Sequence, residues 1–317
     1  MRYITAAGVK GEFYLRLEQL MALWADKLSI EFDSNSAVED YAWLGTPGGL
    51  KEVKGEKKAE TAAEYFYQLR NREFEGGLNI PRKDIERDKT NQIMAQVGDF
   101  GTRCAGHWME LLSALQLAGD DTSLGTCYDG ANFFSAAHGE RKSGIQKNLL
   151  TYATVTELSI VLNTAPTAAE AVKAILGVIT HMLSIKDDQG YPMNANGRDF
   201  MVMTAPALWK WLVPAVTNAT ISSGDTNTIM SLKADGFNIS LAANPLLDYT
   251  TEFDVYRTDA PLKPFIRQSE IPLEIDVLGP GSEHYRLNNQ MKVGGYTRRA
   301  VGFGRWQYAS HASLHTT

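Results

Sequence analysis

The chain has 317 residues, a formal net charge of -6 at pH 7 and 44% hydrophobic residues, enough to bury about three quarters of its unfolded surface. The acidic balance argues against a dedicated nucleic-acid binder, although it is compatible with passive contact with DNA. The sequence contains no apolar run of membrane-spanning length, and we expect no membrane partner. Cys104 and Cys127 lack metal-ligand spacing and follow no signal peptide, which indicates a reducing compartment.

The N-terminal segment, residues 1–40, is predicted to be an arm. Residues 13–28 form an amphipathic stretch with acidic side chains inside it, which is not the pattern of a membrane span. Because the chain begins with Met1, we expect that no large scaffold segment is cut from this side. A longer precursor or a separate scaffolding protein is also compatible with the sequence.

Residues 41–83 are predicted to form an extended loop of two legs. Both signs of charge alternate over residues 51–60, which fits a solvated or partner-facing ribbon. The return leg, residues 65–80, is richer in strand-forming side chains. A two-stranded excursion does not stabilise itself, so the subunit's own body or a neighbouring copy must receive it. Deletion of residues 50–80 is expected to leave a folded subunit that no longer assembles. The candidate inter-subunit contacts are Lys51, Lys54, Lys57, Lys58, Glu60, Tyr65, Tyr67 and Arg70.

A long amphipathic helix is predicted next, from an N-cap at Asp84 to a stop at Gly119. It spans on the order of 35 residues and acts as a structural spine. Its glycines weaken an isolated helix, so packing must compensate for them. Trp108→Ala is expected to cost roughly 3–5 kcal/mol if the indole is fully buried. The apolar face consists of Ile93, Val97, Gly101, Cys104, Trp108, Leu111 and Leu115.

The most distinctive local string follows this helix: Cys-Tyr-Asp-Gly-Ala-Asn-Phe-Phe at residues 127–134, with His138 close behind. Together with the arm and the helix, this string resembles the major head subunit family of Mu-like bacteriophages. The resemblance extends in order over roughly residues 41–311. It implies an α+β chain with the Hong Kong 97-like major capsid protein fold, which has an N-terminal arm, an extended loop, a peripheral domain with a spine helix, and an axial domain.

The remaining elements are predicted from local signals. Thr167 and Glu170 form a capping box that opens an amphipathic helix. The run at residues 200–203 fits a buried strand, and Pro206 opens another helix that ends near Pro214. Two later segments alternate apolar and polar residues as half-buried strands do: residues 237–242 and 253–257.

Near the C-terminus, three arginines are interleaved with aromatic residues between Tyr296 and Tyr308. They are Arg298, Arg299 and Arg305. One hypothesis is nucleic-acid contact, because this pattern offers charge and stacking together. The favoured interpretation is a closing strand on the spine, with arginines that pair acidic residues within or between subunits. The alternation, the glycines and the acidic net charge support it.

Catalytic motifs are missing from the sequence. The nucleophile-elbow, dinucleotide-binding, phosphate-loop and zinc-protease patterns do not occur. His138-Gly139-Glu140 matches half of a zinc deaminase site, but the Pro-Cys-x-x-Cys half is absent. The other histidines are scattered singly, and Asp120-Asp121 and Asp187-Asp188 are more typical of turns and caps. We therefore predict no enzyme activity, catalytic residue, metal or cofactor.

The sequence as a whole indicates a structural assembly protein. The resemblance to the head subunit family implies self-assembly into hexamers and pentamers of an icosahedral phage head, with packaged DNA contacted non-specifically and a scaffolding protein and a portal as further partners. Assembly is expected in the host cytoplasm. The alternatives are a nanocompartment shell with the same fold and another phage structural component. The predicted divisions are an arm at 1–40, a loop at 41–83, a peripheral domain at 84–160, an axial domain at 161–267, and C-terminal strands at 268–317 that return to the peripheral domain.

Overall fold

The computed structural model describes residues 5–19, 24–44, 64–88, 91–221 and 224–317, and it confirms the α+β class. No helix among these residues is long and apolar enough to cross a membrane. The elements of the N-terminal part, in chain order, are α1 (Ala6–Gln19), α2 (Ala25–Leu28), β1 (Ser29–Asp33), β2 (Val38–Leu44), β3 (Glu64–Arg70), β4 (Arg72–Pro81), α3 (Arg82–Arg87), α4 (Gln92–Ala105) and α5 (His107–Leu117).

The rest of the chain alternates strands and helices. Its middle part contains β5 (His138–Gly139), β6 (Ile145–Gln146), β7 (Leu149–Leu150), β8 (Ser159–Ile160), α6 (Ala168–Ser184), β9 (Asp199–Thr204), α7 (Pro206–Thr217), α8 (Thr228–Ala234), β10 (Asn238–Ala243) and β11 (Glu252–Arg257). The C-terminal part contains β12 (Phe265–Leu278), α9 (Glu283–Asn288), β13 (Gln290–Phe303), β14 (Ala309–Ser313) and β15 (His315–Thr316).

A four-stranded sheet in the order β1-β12-β13-β4 is the base of the first lobe. Its two long strands, β12 and β13, pair antiparallel, and the register shifts on both sides of Ile271. Pro272 follows that residue, and a proline without an N–H group is tolerated at such an irregularity. The helices α1, α4 and α5 complete this lobe, which we call the spine lobe.

Helix α1 packs against α4 in the spine lobe and does not extend away from the subunit. Val9 and Phe13 are fully buried. A Cβ atom at Gly101 of α4 would lie 3.1 Å from the Phe13 carbonyl oxygen, so the helix glycine allows this close approach. The packing compensates for the glycine, as expected. In this subunit α1 is docked on α4 and β1 pairs with β12, and the predicted division of residues 1–40 as an arm stays a prediction.

The spine is shorter than predicted and is interrupted. Asp84 lies inside the short helix α3, whose N-cap is Pro81. Helix α4 begins after Asn91, which adopts a left-handed conformation with φ 64°, and the Asp88 carboxylate accepts the first amides of α4. Gly106 then separates α4 from α5. The long helix is therefore two successive helices of 14 and 11 residues.

The second lobe is a five-stranded sheet in the order β10-β9-β11-β14-β7, together with α6, α7 and α8. The capping box at Thr167 and the proline at the start of α7 are confirmed. Helix α7 continues past Pro214 to Thr217. Strand β11 is buried from Phe253 onward rather than half-buried, because hydrophobic clusters cover both faces of the sheet.

The C-terminal strands divide between the two lobes. Strands β12 and β13 belong to the spine-lobe sheet. Strand β14 instead enters the second-lobe sheet between β11 and β7, and β15 pairs with β8. Strands β14 and β15 therefore lie outside the spine-lobe sheet, and the predicted division at residues 268–317 stays a prediction.

Candidate functional site

The string at residues 127–134 forms a tight loop directly after the spine. The Cys127 amide donates to the Ala131 carbonyl oxygen at 2.8 Å, and the Gly130 amide donates to the Cys127 carbonyl oxygen at 3.0 Å. Gly130 has φ 82°, a backbone conformation that residues other than glycine rarely adopt. The Asp129 carboxylate also accepts the Ala131 amide at 3.1 Å. The glycine and the aspartate of the string therefore set the shape of this loop.

The two phenylalanines of the string anchor the loop in the core. The Phe133 ring stacks on Phe303 of β13, with 4.9 Å between ring centroids and 12° between ring planes. Phe134 covers Gly119, where a Cβ atom would lie 2.4 Å from its ring. Gly119 thus provides space for a ring in addition to following the helix end.

His138 is fully buried, and each ring nitrogen faces an acceptor. Nδ1 lies 2.6 Å from the Asp129 carboxylate, and Nε2 lies 3.1 Å from the Asn148 amide oxygen. The ring stacks on the Trp306 indole at 3.9 Å and 3°. His138 is thus a core histidine, and both of its ring nitrogens are occupied by partners within the subunit.

Glu140 is the centre of a second set of contacts beside His138. One carboxylate oxygen accepts from Tyr128 Oη at 2.6 Å, from Trp306 Nε1 at 2.8 Å and from Gln307 Nε2 at 2.8 Å. Burial raises the pKa of Glu140, while the bonds from Tyr128 and Trp306 oppose that shift. We call His138, Glu140 and their partners the signature network. The network joins the loop after the spine to the segment that follows β13.

The signature network accounts for the His-x-Glu match without a metal. Within the described ranges, no group of three or more His, Cys, Asp or Glu side chains could hold a metal ion. The pKa of the Cys127 thiol is raised well above its usual value, chiefly by burial, so this cysteine is not an activated nucleophile. The distinctive string therefore has a structural role in the subunit.

Asp254 of β11 is the centre of a further buried network that sequence reasoning missed. Its side chain is fully buried and accepts from Gln116 Nε2 at 2.6 Å, Tyr256 Oη at 3.0 Å and Tyr249 Oη at 3.3 Å. His311 Nδ1 of β14 lies 2.7 Å from the other carboxylate oxygen. Since Gln116 belongs to α5, this network links the spine to the second-lobe sheet. The sequence signal was weak, because Asp254 occupies a polar position in a segment that alternates apolar and polar residues.

The pH dependence of stability should separate His311 from His107. Burial lowers the pKa of His311, but the charge and hydrogen bond of Asp254 outweigh burial, so the net pKa lies above 6.5. Its contribution is complete below pH 6.5 and is lost as the pH rises through the folded-state pKa. Burial lowers the pKa of His107 to about 4, so stability is lost there as the pH falls from 6.5.

This prediction is checked by urea unfolding of the unassembled chain over a pH series. His311→Gln should remove part of the loss of unfolding free energy above pH 6.5, and His107→Gln should remove part of the loss below it. If His311→Gln left the alkaline side of the curve unchanged, the Asp254 pairing would not stabilise the fold as described.

The C-terminal arginines contact groups within the subunit. Arg298 pairs with Glu270 at 2.7 Å and Glu73 at 3.0 Å. The Arg299 guanidinium lies 4.4 Å from the ring centroid of Trp108, and burial lowers its pKa to about 10. The closing-strand interpretation is confirmed for β13, and the expected pairing with acidic residues is seen for Arg298. The nucleic-acid hypothesis is wrong for Arg299 and Arg305, because both are buried.

Trp108 is only partly buried. A second guanidinium, that of Arg267, lies 5.6 Å from its ring centroid. The indole thus packs against two cations and not in the centre of the core. The destabilisation of 3–5 kcal/mol expected for a fully buried indole therefore does not apply to this residue.

The base of the extended loop is the hairpin formed by β2 and β3. Strands β2 and β3 pair antiparallel from Val38↔Arg70 to Leu44↔Glu64. Tyr67 packs within the subunit, where its hydroxyl accepts the Phe303 amide at 3.0 Å, and Arg70 is exposed. The candidate contacts Lys51, Lys54, Lys57, Lys58 and Glu60, and the Tyr65 side chain, lie outside the described residues. The structure thus locates two of the eight candidates.

Comparison with solved structures identifies the fold. The chain superposes on a subunit from the capsid of the cyanophage P-SCSP1u with a TM-score of 0.56 and 13% sequence identity, covering 92% of this chain and 88% of that one. At this identity the likeness concerns the fold. The chain has the Hong Kong 97-like capsid fold of tailed phages.

A family model matches the N-terminal part of the sequence. The model of the family "Mu-like prophage major head subunit gpT" matches residues 4–157, slightly less than half of the chain. The matched stretch includes the distinctive string at residues 127–134 but stops well before residue 311. Beyond residue 157, the resemblance to head subunits rests on the fold.

Two curated relatives show the same pattern. The chain is 31% identical over 105 residues to the Mu-like prophage FluMu major head subunit of Haemophilus influenzae, covering 33% of each chain. It is 30% identical over 113 residues to the major capsid protein of Escherichia phage Mu, covering 36% of each. These matches span about a third of the length of the curated relatives.

Proposed function

We propose that this chain is the major capsid protein of a Mu-like phage or prophage, which self-assembles into hexamers and pentamers of an icosahedral head around double-stranded DNA. The observation that carries the proposal is the match of residues 4–157 to the head-subunit family, in a chain that has the capsid fold over 92% of its length. The spine lobe would be the peripheral domain, and the second lobe would be the axial domain.

The extended loop is the element that supports contact between copies. Residues 45–63 join the paired ends of β2 and β3, and they carry Lys51, Lys54, Lys57, Lys58 and Glu60. Lying over an adjacent subunit, this segment would tie each copy to a neighbour, with its alternating charges setting the register. Such contacts weaken as salt screens them. Tyr67 would support the segment from within the subunit.

The same proposal carries the expectation that this chain has no enzyme activity. Major head subunits form a structural family and not an enzyme class. The buried histidines and carboxylates described above connect segments of the subunit and do not surround a substrate site. Packaged DNA would be contacted non-specifically, and a scaffolding protein and a portal would be the further partners. The protein would assemble in the host cytoplasm and would be found in the virion.

Electron microscopy of the full chain, expressed alone and concentrated in moderate salt, tests the proposal. Closed shells or rings of five and six subunits are the expected result. If monomers persisted even when the scaffolding protein was co-expressed, the proposal would be wrong. Shells that hold a cargo enzyme instead of phage DNA would indicate a nanocompartment.

Shortening the loop should abolish assembly without unfolding the subunit. The suitable change replaces residues 46–62 with a short Asn-Gly turn, because deletion of residues 50–80 would also remove β3 and β4, which pair with β2 and β13. We expect an unchanged melting temperature and no shells. The matched control is Lys51→Gln with Lys54→Gln, which should weaken assembly in low salt more than in high salt. Normal shells from the shortened chain would rule out the loop contact.

A further inference from the structure

Two tyrosines lie directly opposite each other at the base of the hairpin formed by β2 and β3. Tyr41 pairs with Tyr67 in the antiparallel register, so both side chains project from the same face. Each is partly buried against the large hydrophobic cluster that the two lobes share. A hairpin of two strands is at best marginally stable on its own. Pairing between β2 and β3 does not attach the hairpin to the rest of the subunit, whereas these two side chains do.

The Tyr41 hydroxyl connects the hairpin to β12. It donates to the Gln268 amide oxygen at 2.7 Å, and Gln268 is fully buried. Gln268 Nε2 in turn donates to Asn71 Oδ1 at 2.8 Å, and Asn71 Nδ2 donates to Ser34 Oγ at 2.9 Å. One hydroxyl is thus linked to the residues that lead into and out of the hairpin.

The Tyr67 hydroxyl connects the hairpin to the end of β13. It accepts the Phe303 amide at 3.0 Å. A Cβ atom at Gly302 would lie 2.7 Å from this hydroxyl and 3.0 Å from Cε1 of the ring, so the glycine provides the space that the tyrosine occupies. Burial raises the pKa of Tyr41 and of Tyr67 to about 12. Both hydroxyls therefore keep their protons at neutral pH.

The hairpin does not pack fully onto the spine. A cavity of about 510 Å³ lies between β3 and α5 and is lined by Tyr67, Leu69, Leu111 and Leu124, among others. This space would allow the hairpin to tilt toward the helix if its anchors were released. The direction of the hairpin therefore depends on its base.

We propose that Tyr41 and Tyr67 act as a clamp that orders the hairpin and fixes its direction in the free subunit, before any neighbour is present. They are positioning residues, and residues 45–63 would make the contacts with other copies. The relevance to assembly rests on the proposed function, but the clamp itself is a property of a single subunit. Each hydroxyl holds a different strand of the spine-lobe sheet, so the two bonds together define an orientation.

Amide hydrogen exchange on the dilute, unassembled full chain tests the clamp. In Tyr41→Phe with Tyr67→Phe, the amides of β2 and β3 should exchange on the order of tenfold faster or more, as expected for the loss of two hydrogen bonds. The Phe303 amide should accelerate in Tyr67→Phe and remain unchanged in Tyr41→Phe. Tyr191→Phe, which changes an exposed tyrosine of the second lobe, is the matched control and should leave these rates unchanged.

A second variant keeps the hydroxyl and displaces it. Gly302→Ala places a methyl group where the Tyr67 hydroxyl lies and should accelerate the same hairpin amides. Hairpin exchange at the wild-type rate in the double phenylalanine variant would overturn the proposal. Failure of the wild-type chain to form shells would count against the proposed function and would leave the clamp result unaffected.

Discussion

Trp306→Ala should lower the free energy of unfolding of the subunit by about 3–5 kcal/mol, the range for a large aromatic side chain removed from a core. The indole is fully buried, stacks on His138 at 3.9 Å and donates to Glu140 at 2.8 Å. Its removal would leave a cavity beside two buried polar groups that had packed against it. Urea unfolding of the unassembled chain, followed by far-ultraviolet circular dichroism, measures the effect.

Two variants separate the contributions to this effect. Trp306→Phe keeps an aromatic ring over His138 and removes the N–H donor, so it should cost about 1–3 kcal/mol, the cost of leaving a buried acceptor with one donor fewer. Trp209→Ala removes an indole that is 38% exposed, and it should cost less than about 2 kcal/mol. A cost for Trp306→Ala no greater than that for Trp209→Ala would show that the signature network does not stabilise the subunit.

Asp254→Ala should be comparably destabilising, by about 3–5 kcal/mol, because it removes one partner of a buried charged pair. The change would leave the buried Gln116 amide, two tyrosine hydroxyls and the His311 ring without their shared acceptor. Asp276→Ala is the matched control, since Asp276 is exposed on β12, and it should change stability by no more than about 0.5 kcal/mol. The measurement is again urea unfolding of the unassembled chain.

A double-mutant cycle identifies the pair responsible. Asp254→Asn and His311→Gln should together cost less than the sum of the two single changes, because each single change removes the same interaction. The interaction energy, which is the sum of the two single costs minus the cost of the double variant, should also shrink as the pH rises and His311 loses its proton. Strict additivity at low pH would mean that the two side chains stabilise the fold independently.

Local signals in the sequence predicted local structure well. The capping box at Thr167 and the proline that opens α7 are short-range devices, and both elements begin where those residues predict. The spine was predicted too long for two reasons. Its apolar periodicity continues through Gly106, and Asp84 is of a residue type that often caps the start of a helix. The backbone conformation of Asn91 and the capping bonds from Asp88 decide where α4 begins, and periodicity does not report either.

The role of the distinctive string could not be derived from the sequence because its partners are distant in the chain. Tyr128 bonds Gln307, which is 179 positions further on, and His138 stacks on Trp306. A single sequence gives the chemistry of each residue and not these proximities. The hairpin illustrates the same limit. Tyr67 was predicted to contact another subunit because it lies in the return leg of the loop, and that role stays a prediction. Its hydroxyl accepts the Phe303 amide of β13 in its own subunit, which the sequence did not indicate.

The position of β14 has a consequence for how the protein is made. This strand separates β11 from β7 in the second-lobe sheet, although it comes from residues 309–313. During translation, β9, β10 and β11 leave the ribosome long before the strand that covers the edge of β11, and an open edge invites wrong pairing. A chain that stops before residue 309 also lacks His311 and cannot complete the contacts of Asp254. The second-lobe sheet is therefore complete only after synthesis has passed residue 313.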